Sequence, residues 1–413
     1  MLVERMRKVL TILVMSLSVG AASLPAANIR GQLTSDLYLT EDDGRKHIRP
    51  YESLRADLRG WQGPDGKFLL VHTYFRWTTD LSHKRANDPQ TYIYDNYLLI
   101  NGVPKGAACY VGRQFVYNAT GSALLDGVRI KYSPVRQFQM DVFGGSSVSQ
   151  SNPEKVQSLT DFGTLGGRLS FRRGYSAQIG INWMLRRSGG HTVAHRAGLD
   201  FDFSFSLIKL YGKLTYDVAN LRAGEVLARA SYAAHLWYLS GEFSWREPSV
   251  SSNSLFSLID SYGYKETRMD IQRRVWRRMS AVAQIHAGFF ENDESWRTGI
   301  GLRSDNFSLL WRHQEGCGGK YDGLYGTASV RIARRWEVYA GANLGRYRVQ
   351  ELQQGLNDAY TGRLGILWRA GHGMIAQGEG QYLRNGLQDH DFRVNLRLSA
   401  DFSLGDNGGG GSF

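Results

Sequence analysis

Period-two alternation of apolar and polar residues, sustained from one end of the chain to the other with no helical stretch between, is the feature that most restricts this sequence. Phe392 to Phe402 shows it best: Phe392, Val394, Leu396, Leu398, Ala400 and Phe402 alternate with Arg393, Asn395, Arg397, Ser399 and Asp401. Such a run is a strand with a greasy side and a wet side. The same pattern recurs at Tyr175–Trp183, at Leu199–Phe205, at Met279–Ala287 and at Trp336–Ala340. Neither a heptad nor a 3.6-residue stripe interrupts it. About 22 candidate strands (range roughly 16–24) can be drawn.

The connections add an independent constraint. Long polar segments near 41–49, 79–90, 146–159, 247–263, 313–321 and 347–357 each follow an odd-numbered strand. Connections after even strands are short, as at Ser133-Pro134, Arg173-Gly174 and Gly371. Long loops at one end and tight turns at the other describe a closed antiparallel transmembrane β-barrel, all-β in class, with short periplasmic turns and longer extracellular loops. A secreted sandwich or solenoid would show loops of similar length on both sides, or a fixed repeat period.

Charge placement selects hydrocarbon as the outer solvent. A lysine or arginine facing lipid at mid-bilayer costs roughly 2–4 kcal/mol. Arg129, Lys131, Arg168, Lys209, Lys213, Arg229, Arg297, Arg331, Arg363 and Arg397 all fall on the polar faces of their strands, which makes them candidate lumen-lining selectivity residues. Trp77, Trp183, Trp245, Trp296, Trp311, Trp336 and Trp368 fall on apolar faces near predicted strand ends, where aromatic girdles belong. A mean hydropathy of -0.36 is compatible with this, because lumen residues offset lipid-facing ones in the average.

Residues 1–27 read as a secretory signal peptide: Arg5, Arg7 and Lys8, then an apolar Val9–Val19, then small residues from Gly20 to Ala27. That core is well short of the ~20 residues of a spanning helix. The expected organisation is therefore signal peptide 1–27, barrel 28–404 and a Gly-rich tail 405–413. The formal charge is +12, but the basic residues are dispersed through strands rather than gathered into a patch, so nucleic acid is not an expected partner. Cys109 and Cys317 lie about twelve strands apart and are expected as free thiols. No CxxC, CxxCH or zinc spacing occurs, and no cofactor or metal is expected.

Leader, alternation and a final strand ending in Phe402 together resemble Gram-negative outer-membrane barrels, porin-like ones in particular, over nearly the whole mature chain. Gly112-Arg113-Gln114 is similar to a short motif of alginate-export-type barrels. The resemblance implies an outer-membrane location, with lipid, lipopolysaccharide and the barrel-assembly machinery as partners.

Strands start soon after the leader, which leaves no N-terminal plug domain. Two readings from different classes follow. In the first, the barrel is a passive channel for small polar or anionic solutes, because lumen cations outnumber Asp36, Asp141, Asp200, Asp202, Asp217, Glu242, Glu337, Glu379 and Asp401. Ser146–Thr160 and Pro248–Gly263 are the candidate constrictions. In the second, the barrel is a sheath around a lumen-filling periplasmic partner such as a multihaem cytochrome. An outer-membrane barrel enzyme is a weaker third: His72, His235 and His286 lie on polar faces near serines, but no catalytic set can be assembled from the sequence. His191 and His195 share a face ~13 Å apart, too far for one metal.

Overall fold

Twenty-two antiparallel strands pair in chain order and close on themselves in the computed structural model, which describes residues 28–404 apart from 43–44, 83–89, 150–154, 248–262, 292, 318, 349–356, 372 and 387–389. The signal-peptide and tail segments lie outside the described residues. The first strands are β1 (Asn28–Asp42), β2 (Arg45–Gln62), β3 (Phe68–Thr78), β4 (Gln90–Asn101), β5 (Ala107–Asn118) and β6 (Gly121–Val135). They are followed by β7 (Phe138–Ser147), β8 (Gly163–Arg173), β9 (Ala177–Ser188), β10 (His191–Phe205), β11 (Ile208–Asp217) and β12 (Arg222–Ala234). Next come β13 (Trp237–Arg246), β14 (Tyr264–Trp276), β15 (Met279–Phe289), β16 (Glu294–Arg303) and β17 (Phe307–Gly316). The last are β18 (Lys320–Ala333), β19 (Trp336–Arg348), β20 (Asn357–Gly371), β21 (Met374–Arg384) and β22 (Asp391–Leu404).

Closure is a twelve-pair ladder between β1 and β22, from Ile29 opposite Leu404 to Thr40 opposite Arg393. Within it the Phe402 ring lies over Gly31, where an added Cβ would approach the ring to 2.4 Å. The last strand's aromatic thus covers the first strand's glycine at the seam. Directly paired residues share a face, so the ladders carry one face assignment around the whole wall. Leu33, Ala400, Leu54 and Phe75 fall on the outward side, and Asp36, Arg397 and Tyr51 on the inward side.

The outward side is apolar and remains uncovered by protein: Leu364 is 62 % exposed and Val330 61 %. Side chains of that size left out of any core require a hydrocarbon solvent. Outward-facing basic residues among the described strands lie within four residues of a strand end, save Arg113. Arg273, for instance, sits near the end of β14 with its guanidinium 5.0 Å from the centre of the Trp237 ring. All seven girdle tryptophans face outward, Trp336 and Trp368 stacking at 5.7 Å. Trp183 and Trp311 lie mid-strand rather than at strand ends, and Trp183 donates its indole N–H to His195 Nε2 at 2.9 Å. Trp61, Trp237 and Trp276, near the short-turn ends of β2, β13 and β14, extend the aromatic set.

The connections differ from expectation in three places. The predicted loops at 41–49 and 313–321 are mostly strand, because β1 runs to Asp42, β2 starts at Arg45, β17 runs to Gly316 and β18 starts at Lys320. Both faces of a strand standing clear of a bilayer meet water, so the ladder continues there without apolar periodicity to mark it. Ser133-Pro134 belongs to β6, and the turn is Arg136-Gln137. Cys109 and Cys317 are free thiols.

Candidate functional site

The lumen is defined by an element that the alternation disguised. The β4–β5 ladder ends at Asn96 opposite Arg113, and the β6–β7 ladder at Leu125 opposite Ser147. Above those points residues 115–124 have no ladder partner but one another, Asn118 meeting Gly121 at the tip, and their one backbone–backbone bond to the wall is Val148 N to Leu124 O at 3.0 Å among the described residues. This hairpin leaves the wall and folds into the barrel. At its hinge Gly112 has φ +127, and a Cβ there would sit 2.4 Å from Asn96 O. On the partner strand a Cβ at Gly127 would lie 2.1 Å from Gly144 O. Only glycine lets the backbones pass this closely.

The hairpin docks on lumen-facing side chains of β7–β10. Val116, Ala123, Leu125, Phe143 and Met184 form one buried cluster, with Leu125 wholly inaccessible. Polar contacts hold the tip. Asn182 Oδ1 accepts from Ala119 N at 3.4 Å, and Asn118 Nδ2 donates to Gly167 O at 3.4 Å. Arg196 Nη1 donates to Thr120 O at 3.5 Å, and Arg186 Nη2 to Ser122 O at 2.5 Å. The opposite face of the hairpin presents Phe115 and Tyr117, 55 % and 60 % exposed, away from this docked face. Tyr117 comes within electrostatic reach of Tyr211 on β11.

Gly112-Arg113-Gln114 is the hinge itself. Arg113 occupies the outward position of the alternation but is buried. It grips Asp126 with two bonds, Nε to Oδ1 at 2.7 Å and Nη2 to Oδ2 at 2.8 Å. Its Nη1 donates to Ile93 O at 3.4 Å, and Asp95 Oδ1 accepts from Phe115 N at 3.1 Å. Two side chains thus satisfy backbone groups of β4 and β5 where the ladder between these strands has stopped. Sequence reasoning missed this constriction; its signal was a glycine breaking the alternation, followed by an arginine on the apolar side. Of the two segments expected to constrict, residues 150–154 and 248–262 lie outside the described residues.

The ten lumen cations all face inward and divide into two groups. Arg129, Lys213, Arg229 and Arg397 pair across neighbouring strands with Asp141, Glu225, Glu242 and Asp36, and Arg168 reaches Asp200 two strands away. Lys131, Lys209, Arg297, Arg331 and Arg363 make no ion pair among the described residues. Of the expected lumen carboxylates, Glu337 pairs with Arg369 at 2.9 Å, whereas Asp202, Asp217, Glu379 and Asp401 make no ion pair among the described residues. Arg55, Arg76, Arg186 and Arg196 add further inward cations with no carboxylate partner among the described residues, so the residual charge of the described lumen wall is positive.

Among the described residues the histidines make no hydrolytic set. His72 Nδ1 is 2.5 Å from Asp57 Oδ1 and stacks on Tyr97. His286 bonds Glu266, whose other oxygen accepts from Ser244 at 3.4 Å. The carboxylate stands between serine and histidine, so the imidazole is not placed to take the hydroxyl proton. His235 lies in the turn between β12 and β13, not on a strand face. His195 faces outward against Trp183.

A closed 22-stranded antiparallel barrel with an apolar exterior, aromatic belts and a charged interior is a porin-like outer-membrane β-barrel. No family model matches the chain, and no curated protein matches it. Among solved structures it is similar to the P pilus usher (PapC) translocation pore, at TM-score 0.52 and 8% identity over 91% of this chain and 100% of that one. It is also similar to OccK5 (OpdH) of Pseudomonas aeruginosa, at TM-score 0.48 and 10% identity, covering 92% and 99% of the two chains. A BenF-like porin from Pseudomonas fluorescens Pf-5 matches at TM-score 0.48 and 8% identity, covering 92% and 100%. At these identities the likeness is one of fold.

Proposed function

We propose that this protein is a passive outer-membrane channel for small polar and anionic solutes, narrowed by the inward β5–β6 hairpin. The hairpin is the observation that carries the reading. It occupies the barrel interior against β7–β10, the wall surface that a lumen-filling partner would need, and this favours a channel over a sheath. The surplus of unpaired inward cations supports a preference for anions, since a low-dielectric wall strengthens their field in the water it encloses. Solutes pass by diffusion, and the channel performs no chemistry.

Purified protein in planar bilayers is expected to show stable, salt-proportional current with a reversal potential displaced toward anions. Replacing residues 115–124 with an Asn-Gly turn should raise the unitary conductance. Absence of ohmic current, or co-purification of a haem protein that abolishes it, would overturn the channel reading in favour of the sheath.

A further inference from the structure

We propose that the lumen face of β1–β6 is a binding track for ring-bearing carboxylates, a reading that rests on the channel assignment above and adds ligand selectivity to it. The strands here carry an inward run of tyrosines in mutual contact. Tyr38 on β1 meets Tyr51 on β2 edge-on at 5.2 Å, and Arg76 of β3 lies 4.7 Å over the Tyr51 ring. On β4, Tyr94 stacks on Tyr74 of β3 at 4.9 Å. Lower down, Tyr97 stacks on His72 at 5.0 Å and meets Tyr110 of β5 at 5.4 Å. Arg129 and Lys131 of β6 lie 5.9 and 5.3 Å over Tyr110. The run begins four residues from the loop end of β1 and finishes four residues from the turn end of β6.

Its chemistry is specific to this sector. Elsewhere among the described residues the ring–ring contacts of the strands lie on the outward face, apart from Tyr264 with Phe290 at a strand end, and a lone inward tyrosine, Tyr325, carries Arg312 at 5.3 Å with no second ring against it. The tyrosines are half-buried, so each offers part of a ring face and a hydroxyl to the water of the lumen. The carboxylates along the path are already engaged: Asp57 by His72, Asp141 by Arg129, and Asp95 by Phe115 N. Arg55, Arg76 and Lys131 make no ion pair among the described residues, which leaves cations to meet a ligand's carboxylate while its ring lies on a tyrosine face. An acyclic acid of equal charge gains only the Coulomb part, which salt screens. Aromatic acids and sugar acids share the required ring-plus-carboxylate chemistry.

Single-channel recordings with the full chain test this, using two matched pairs: benzoate against hexanoate, and glucuronate against gluconate. Benzoate, glucuronate or both should interrupt the current, and the acyclic member of each pair should not; whichever ring acts identifies the ligand type. In Tyr97→Leu and Tyr94→Leu, which keep apolar bulk but lose the ring, blockade residence times should shorten about three- to ten-fold. Heat-modifiable gel migration confirms that each variant is folded, and Lys131→Gln supplies an independent loss if a tyrosine variant fails to fold. Equal blockade by ring and acyclic acids, or residence times unchanged in the variants, would overturn the track. Normal conductance with no blockade by any acid would overturn it and leave the channel standing, whereas no conductance would remove both.

Discussion

Arg113→Ala is the most incisive test of how the hairpin is held. The guanidinium is 6 % exposed and the Asp126 carboxylate 15 %. Two parallel bonds of 2.7 and 2.8 Å join them. Removing the arginine leaves a carboxylate in a site that water barely reaches and also frees Ile93 O. Breaking a buried pair in this way costs about 3–5 kcal/mol, most of it the penalty of the orphaned charge. Arg397 with Asp36 is the internal control, since its guanidinium is 45 % exposed and an exposed pair is worth about 0–1 kcal/mol. Arg397→Ala should therefore cost far less. The double variant Arg113→Met with Asp126→Leu removes both charges and keeps the volume, so it should recover most of the loss of either single variant. Urea titration of the barrel refolded in lipid vesicles, followed by gel migration, measures each value. An Arg113→Ala cost below about 1 kcal/mol, or a double variant no better than the singles, would refute the claim that a dry ion pair anchors the hinge.

Three further outcomes are expected. Gly112→Ala should cost more than about 1 kcal/mol in the same titration, because alanine disfavours the positive φ and its Cβ meets Asn96 O. Lys209→Glu and Arg331→Glu should move the reversal potential toward cations, most strongly in dilute salt, whereas Arg397→Gln should move it less because Asp36 already offsets that charge. Ala340→Arg, on the outward face between Ala328 and Leu364, should destabilise the barrel by roughly 2–4 kcal/mol in vesicles; a neutral outcome would mean that this surface does not meet hydrocarbon.

Much of the wall was legible because a barrel strand writes its two solvents into alternate residues. Leu364, Ile366 and Trp368 announce lipid as clearly as Arg363 and Arg369 announce water, and the strand count follows from repeating that reading. Where both faces meet the same medium the code goes silent, which is why the β1–β2 and β17–β18 hairpins looked like loops. The constriction was hidden for the opposite reason. Val116, Ala123 and Leu125 alternate like any wall strand, but their apolar side is covered by Phe143 and Met184 inside the barrel rather than by lipid. Alternation states that a residue is buried against something greasy and not what that something is. The pairing of lumen charges was equally out of reach, because Arg168 meets Asp200 across an intervening strand and only register brings them together.

Detachment of the hairpin from both neighbours separates two events in the life of the molecule. Every wall strand is templated by the one before it, and the last by the first, so the cylinder can be completed and sealed without residues 115–124 having docked. Pore width then depends on contacts inside the barrel that closure of the wall does not require. A chain that fails only this step would be inserted, heat-modifiable and correctly closed at the Gly31–Phe402 seam, and would differ from a finished one solely in what it lets through.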